Sequence, residues 1–123
     1  MARTTDHSLA DLFPGGVFER NCPSRVVLDH VTSKWGVLVL VALDGRTLRW
    51  SELRRTVQGV SEKMLAQTLR TLEADGFVLR ESMDVVPPHV EYSLTPLGDE
   101  VVAHLLPLLR WMADHAAAIV GER

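Results

Sequence analysis

A chain of 123 residues, 46% of them hydrophobic, has one domain's length and enough Val and Leu to bury a single core. Its apolar run at residues 37–43 is too short to cross a bilayer, the N-terminus lacks a charged-then-apolar signal pattern, and one cysteine cannot build a disulfide framework, so a cytoplasmic protein without membrane association is expected. The net charge of −3 speaks only superficially against nucleic acid: residues 46–80 carry seven Arg or Lys against four Asp or Glu, a local excess of +3 that leaves −6 elsewhere, the footprint of a DNA-facing patch on an acidic protein.

Residues 1–20 are mixed in character and broken by Pro14-Gly15-Gly16, which predicts an N-terminal arm. After Pro23, residues 24–31 read as a short helix with Val27 and Val31 on one face. Cys22 would then lie at a helix N-terminus, where the positive end of the dipole favours a thiolate and where Arg20 and Arg25 are close in sequence. That makes Cys22 a candidate regulatory thiol, against the plainer reading of a small buried apolar residue. Residues 35–43 fit a buried strand and a buried helix equally. Asp44-Gly45 ends the run, and a brief strand at 47–49 is available to pair with strands further on.

Residues 51–75 predict two helices joined by a short turn. Ser51 is the expected N-cap of the first, whose Leu53 and Val57 share a face; Gln58-Gly59-Val60 breaks the period, and Ser61 caps the second. Leu65, Leu69 and Leu72 form the stripe that should face the core, and Gly76 suits the left-handed residue that ends the helix. At about 100° per residue, Lys63, Gln67, Arg70 and Ala74 fall opposite the leucines, a cationic, hydrogen-bonding face free of acids. A helix in a major groove needs such a face. Lys63 in the first turn can reach guanine O6 or N7, the Gln67 amide suits a bidentate contact with adenine, and Arg70 suits phosphate or the groove wall. An ordinary solvated helix carries the same residue types, so the segment that follows matters.

Residues 77–82 and 90–95 alternate with period two, with Val90, Tyr92 and Leu94 on one face and Glu91, Ser93 and Thr95 on the other. Between them Pro87 and Pro88 mark a loop at 83–89, since proline cannot sit in a central strand. Two helices and a hairpin in this order predict a mainly α fold with a small β-hairpin wing, the winged helix-turn-helix, with the wing at 77–95. Arg80 is its residue for a phosphate or minor-groove contact, or else a plain exposed cation. Thr95-Pro96, with Asp99 and Glu100 behind, starts a C-terminal helix over 96–120 that should kink at Pro107. Val101, Leu105, Leu108, Leu109, Met112, Ala116 and Ile119 spread around more than one of its faces. This helix and the N-terminal segments are therefore expected to form a homodimer interface, presenting two reading helices to a two-fold operator, rather than packing only within one subunit.

Other chemistry finds little support. His104 and His115 stand eleven apart with no tight His, Cys or carboxylate set around them, so no metal site is expected. No P-loop, dinucleotide fingerprint, oxyanion loop or nucleophile elbow is present, and neither cofactor nor catalysis is expected. The rival to DNA binding is a winged helix used as a protein-interaction module, its cationic helix docking an acidic partner.

Taken in order, these segments resemble the HxlR-type winged-helix transcriptional regulators, relatives of the MarR group. The resemblance runs from Asn21-Cys22-Pro23 to Trp111. It includes Lys34-Trp35, Gly45, Arg49-Trp50-Ser51-Glu52-Leu53 (where the family usually has Arg-Phe), Val60-Ser61-Glu62-Lys63-Met64-Leu65 and Leu69. It continues through Leu72-Glu73, Asp75-Gly76-Phe77, Arg80, the run from Pro87 to Thr95, and Gly98. It implies one domain over 21–123, a helix at 35–43, and a dimeric DNA-binding repressor or activator, read here as a repressor, on an inverted-repeat operator of double-stranded DNA. The contact set it implies here is Arg49, Ser51, Ser61, Lys63, Gln67, Arg70, Thr71 and Arg80, with Arg49 and Arg80 on the DNA backbone. Several members of the family carry an oxidation or electrophile sensor where Cys22 stands; with no second cysteine, switching would need an intersubunit disulfide, a mixed disulfide or alkylation. The alternative inducer is a small aromatic ligand between core and dimer helices near Trp35 and Trp111. The wing tip departs from the family's pattern: Met83, Asp84, Val85 and Val86 replace the usual Tyr and basic or polar residues, and such a tip should meet phosphate poorly.

Overall fold

The computed structural model describes residues 18–121, so the expected arm at 1–20 lies outside the described residues but for its last three. The chain divides into two compact units between Ser33 and Lys34. In the first, α1 spans Pro23–Val31, one residue earlier than the pattern predicts. Pro23 opens it because its missing N–H is one the first turn leaves unpaired anyway. The Arg25 guanidinium donates to the Phe18 carbonyl at 2.9 Å. None of the helix's own residues is buried, and Val26, Val27 and Leu28 all stand exposed.

The second unit holds α2 (Lys34–Ala42), β1 (Leu48–Arg49), α3 (Trp50–Thr56), α4 (Glu62–Ala74), β2 (Val78–Met83), β3 (His89–Leu94) and α5 (Pro96–Val120). The ambiguous apolar run is thus helical. It is buried at Gly36, Val39, Leu40 and Ala42, and it packs against both α4 and α5. Val39 and Leu40, with Leu43, Leu53 of α3, Leu65 and Leu72 of α4, and Val102 of α5, form the inaccessible centre, each side chain contributing about 1.5–3 kcal/mol by leaving water. The strands form one antiparallel sheet in the order β1-β3-β2, so the short strand before α3 does pair with the hairpin. The hairpin strands run through Met83 and from His89, leaving a loop at 84–88 shorter than predicted.

One cap differs from expectation. Ser51 does not cap α3: the chain stays extended through Arg49, which takes the N-cap position, and the Glu52 carboxylate accepts from the Arg49 backbone N–H at 2.8 Å. Strand β1 delivers the chain extended up to that point, so the helix begins one residue before Ser51, which sits exposed in the first turn. Ser61 does cap α4, its hydroxyl accepting from the Met64 N–H at 3.0 Å. At the other end Gly76 adopts φ +86° while the Phe77 N–H reaches back to the Leu72 carbonyl and the Gly76 N–H to that of Glu73, a Schellman closure.

Thr95 caps α5 by accepting from the Gly98 N–H at 3.0 Å, and its own hydroxyl donates to the Gly76 carbonyl at 2.6 Å. At Gly98 a Cβ would lie 2.2 Å from the Phe77 carbonyl oxygen, so the first turn of α5 rests directly on the backbone that leaves α4. The end of the reading helix, the root of the wing and the start of α5 are thereby tied at one point. The last helix continues through Pro107 as a single element of 25 residues. No helix among the described residues is long and apolar enough to cross a membrane.

Candidate nucleic-acid interface

Helix α4 buries Leu65, Thr68, Leu69 and Leu72 and leaves Lys63, Gln67, Arg70 and Ala74 exposed, as the 100° spacing requires. Lys63, Gln67 and Arg70 have no hydrogen-bond or ion-pair partner among the described residues, so their donors point into solvent unspent. Thr71 is half-buried on the flank of the same helix, and Ser61 is exposed at its N-cap with its oxygen already accepting one backbone N–H. The turn before α4 is held by the buried Val57 and Val60 around Gly59, at φ +90°, whose Cβ would meet the Trp35 ring at 3.8 Å. Arg54 and Glu62 pair across this turn at 3.7 Å, an exposed contact worth little to stability.

Two grooves have Trp50 in their lining, one against the reading helix and one along α3 and the turn that precedes it. The first, of about 440 Å3, lies between α4 and the sheet; Arg70 and Glu73 line it from the helix, Arg80 and Tyr92 from the wing, with Ala66 and Leu69. The second, of about 570 Å3, runs along α3 and the turn, lined by Ser51, Arg54, Arg55, Gly59 and Val60. Trp50, Arg54 and Arg55 were not singled out by sequence as site residues. The Arg54-Arg55 doublet inside the basic stretch is the signal that could have found them.

Arg80 and Arg49 are not brought together. In the sheet register Arg80 faces Tyr92 on β3, which in turn faces Leu48 on β1, so Arg80 belongs to the face that meets α4. Arg49 pairs with Glu91, and Glu91 with Glu81, on the opposite face. There His89 holds Glu91 (Nε2 to Oε2, 2.9 Å), and its Nδ1 lies 3.3 Å from the Pro87 carbonyl. At the wing tip Asp84, Val85 and Val86 are all exposed, Val86 almost completely.

Cys22 occupies the N-cap position of α1 and is buried, 7% exposed. The Arg25 guanidinium, close to the thiol in sequence, donates to the Phe18 carbonyl. Trp35 lies against Gly59 with the Lys34 ammonium 4.4 Å from its ring centre, while Trp111 stacks on His115 at 4.5 Å. The two tryptophans are engaged by different neighbours. His115 also contacts the Trp111 carbonyl at 2.8 Å, and no cluster of three or more metal-ligating side chains occurs among the described residues.

On α5, Gly98, Val102 and Leu105 are buried, whereas every residue from 110 to 120 is exposed, including Trp111, Met112, Ile119 and Val120.

Comparison with known proteins gives this arrangement a family. A model described as HxlR-like helix-turn-helix matches residues 30–119. The chain is 60% identical over 109 residues to the HTH-type transcriptional regulator YtfH of Escherichia coli strain K12, covering 89% of this chain and 86% of that protein. The solved structure of the transcriptional regulator YtfH from Salmonella typhimurium superposes with a TM-score of 0.79 at 56% identity, covering 88% of this chain and 96% of that one. The redox regulator HypR in its oxidized form gives a TM-score of 0.70 at 36% identity, covering 76% and 96%. The chain belongs to the HxlR-like helix-turn-helix family and is a transcriptional regulator built on a winged helix-turn-helix DNA-binding fold.

Proposed function

We propose that this protein binds an inverted-repeat operator as a homodimer and represses transcription from it. The observation that carries the reading is the open face of α4 opposite its leucines, where Lys63, Gln67 and Arg70 stand exposed with no hydrogen-bond or ion-pair partner among the described residues. In a major groove Lys63 and Gln67 contact base edges, while Arg70 and Thr71 contact the groove wall and phosphates. Ser51 and Ser61 donate their hydroxyls to phosphates, Arg80 reaches the backbone from the wing, and Arg54 and Arg55 line a second phosphate seat. Arg49, set opposite Glu91, is the weakest member of the contact set.

Homodimerisation is supported by the apolar side chains of α5 left uncovered in the single chain; those of α1 are likewise open. Cys22 is the proposed switch, a reading supported by the redox regulator HypR among its structural neighbours. As the chain's only cysteine it would join its counterpart in the other subunit, two thiols losing two protons and passing two electrons to the oxidant, or form a mixed disulfide with a small thiol. Because the thiol is buried, its surroundings must open before it reacts.

A mobility shift with the DNA next to its own gene, followed by selection from a random pool, tests the proposal. A sequence-specific complex is expected. If no sequence is enriched, the cationic helix serves a protein partner and the operator reading fails. Cys22→Ser should keep operator binding and lose any response to diamide or quinones, and a response that persists removes the thiol as sensor.

A further inference from the structure

We infer that the wing tip of one copy docks in a groove between α2 and the end of α3 of another copy, joining them head to tail. The groove, of about 310 Å3, is floored by Leu38, Val41, Ala42 and Val57. Ala42 and Val57 are buried while Leu38 stays 38% exposed, so the floor is apolar and open to a side chain arriving from outside. Arg46 is its only charged lining residue among those described. The Arg46 Nε and Nη2 donate to the Ala42 carbonyl at 3.1 and 2.9 Å, which fixes the guanidinium at the rim; Nη1 has no partner among the described residues. Such a groove asks for a small aliphatic side chain next to a carboxylate.

The wing tip offers that combination. Val86 is 97% exposed and Val85 48%. Beside them Asp84 is the one charge between Ser82 and His89, exposed and without a hydrogen-bond or ion-pair partner among the described residues. Pro87 and Pro88 stiffen the chain behind the valines, and His89, held by Glu91, lies 3.3 Å from the Pro87 carbonyl. A tip restrained in this way loses little entropy on docking. DNA suits neither half, because the acid repels phosphate and the groove floor is apolar. Within one chain both halves stand open, so the tip does not fill its own groove. A second copy gives each half its complement: Val86 on the apolar floor and the Asp84 carboxylate accepting from Arg46 Nη1. The contact is heterologous, one tip and one groove per copy, and it builds chains or rings larger than a two-fold pair. A single hairpin tip buries less than the roughly 1,200 Å2 of a stable interface, so association at about 0.1–1 mM is expected. Cooperative filling of adjacent operators by this contact rests on the proposed function; the contact itself does not.

The test is sedimentation of the DNA-free, full chain over protein concentrations from about 5 μM to about 1 mM. The average mass should climb past two chains in the upper part of that range. Val86→Asp, at a side chain clear of the core, should weaken this growth at least about tenfold. Leu38→Asp, at the open lip of the floor, should match it. Asp84→Lys and Arg46→Glu should each weaken growth about threefold to tenfold, and the double variant, with the two charges exchanged, should return to within about twofold of the parent. Circular dichroism checks that each variant is folded. A parent that never exceeds two chains, or a Val86→Asp protein that grows as the parent does, overturns the contact. Growth stopped by both groove variants but by neither tip variant also overturns it, since another segment would then fill the groove. A double variant no better than the single ones overturns the pairing of Asp84 with Arg46.

Discussion

Helix α4 and the distal half of α5 both turn a face to solvent, and the two faces differ in kind. On α4 the side chains opposite the leucine stripe are Lys63, Gln67, Arg70 and Ala74, which water solvates at little cost. On α5 they are Leu108, Trp111, Met112, Ile119 and Val120, which forfeit roughly 25 cal/mol for every Å2 of apolar surface left wet. Exposure in a single chain therefore has two meanings. A polar face with unspent donors asks for a partner rich in acceptors, whereas an apolar stripe asks for another apolar surface. A second copy of the same helix supplies one by symmetry, and two-fold pairing would present the α4 face twice.

Breaking the α5 side of this comparison should have the largest effect. Trp111→Asp places a charge among the exposed apolar residues and should cost about 2–4 kcal/mol of association, as at an interface hot spot. Sedimentation should show a dimer for the parent and a monomer for the variant, and operator binding should fall with it. A variant that stays dimeric would mean the pairing uses another surface. On the α4 side, Lys63→Ala and Gln67→Ala should each cost about 1–3 kcal/mol of discrimination between operator and random DNA while the dimer persists. Equal losses on both DNAs would mark these side chains as phosphate contacts. Arg54→Ala and Arg55→Ala should do less, weakening all sequences alike and lowering the salt slope by about one each.

The two faces were not equally legible in the sequence. The α4 face followed from spacing alone, because Leu65, Leu69 and Leu72 fix which side is buried and the rest of the helix must oppose them. The caps at Ser61 and Thr95 were legible for the same local reason, since a hydroxyl before a helical run satisfies the run's own first N–H groups. Ser51 misled because its rival lay outside the local pattern: β1, paired to β3 more than forty residues later, holds the chain extended through Arg49. Residues 35–43 carried no decisive period, because a helix that packs against α4 and α5 is apolar on nearly every side. The groove walls were hidden for a similar reason. Trp50, Glu73 and Tyr92 meet only once α3, α4 and the sheet are assembled.

The wing offers the finest division of the cationic surface, and the smallest predicted effects. Alternation along a strand says that neighbouring residues point apart, yet it cannot say which residue of β1 shares a face with which residue of β2. The register settles it: Arg80 lies with Tyr92 and Leu48 on the face toward α4, while Arg49 lies with Glu91 and Glu81. Glu91 beside Arg49, and Glu81 one strand further on the same face, reduce the local potential that a phosphate would meet. Arg80→Ala should therefore lower the salt slope of operator binding by about one, and Arg49→Ala should leave it unchanged. Removing one of the carboxylates on this face by Glu81→Gln sharpens the contrast, since a slope that rises in that variant would place this face within reach of the DNA backbone. A slope that falls equally for both arginine variants would mean that the operator wraps both sides of the sheet, and the division of labour between its faces would be lost.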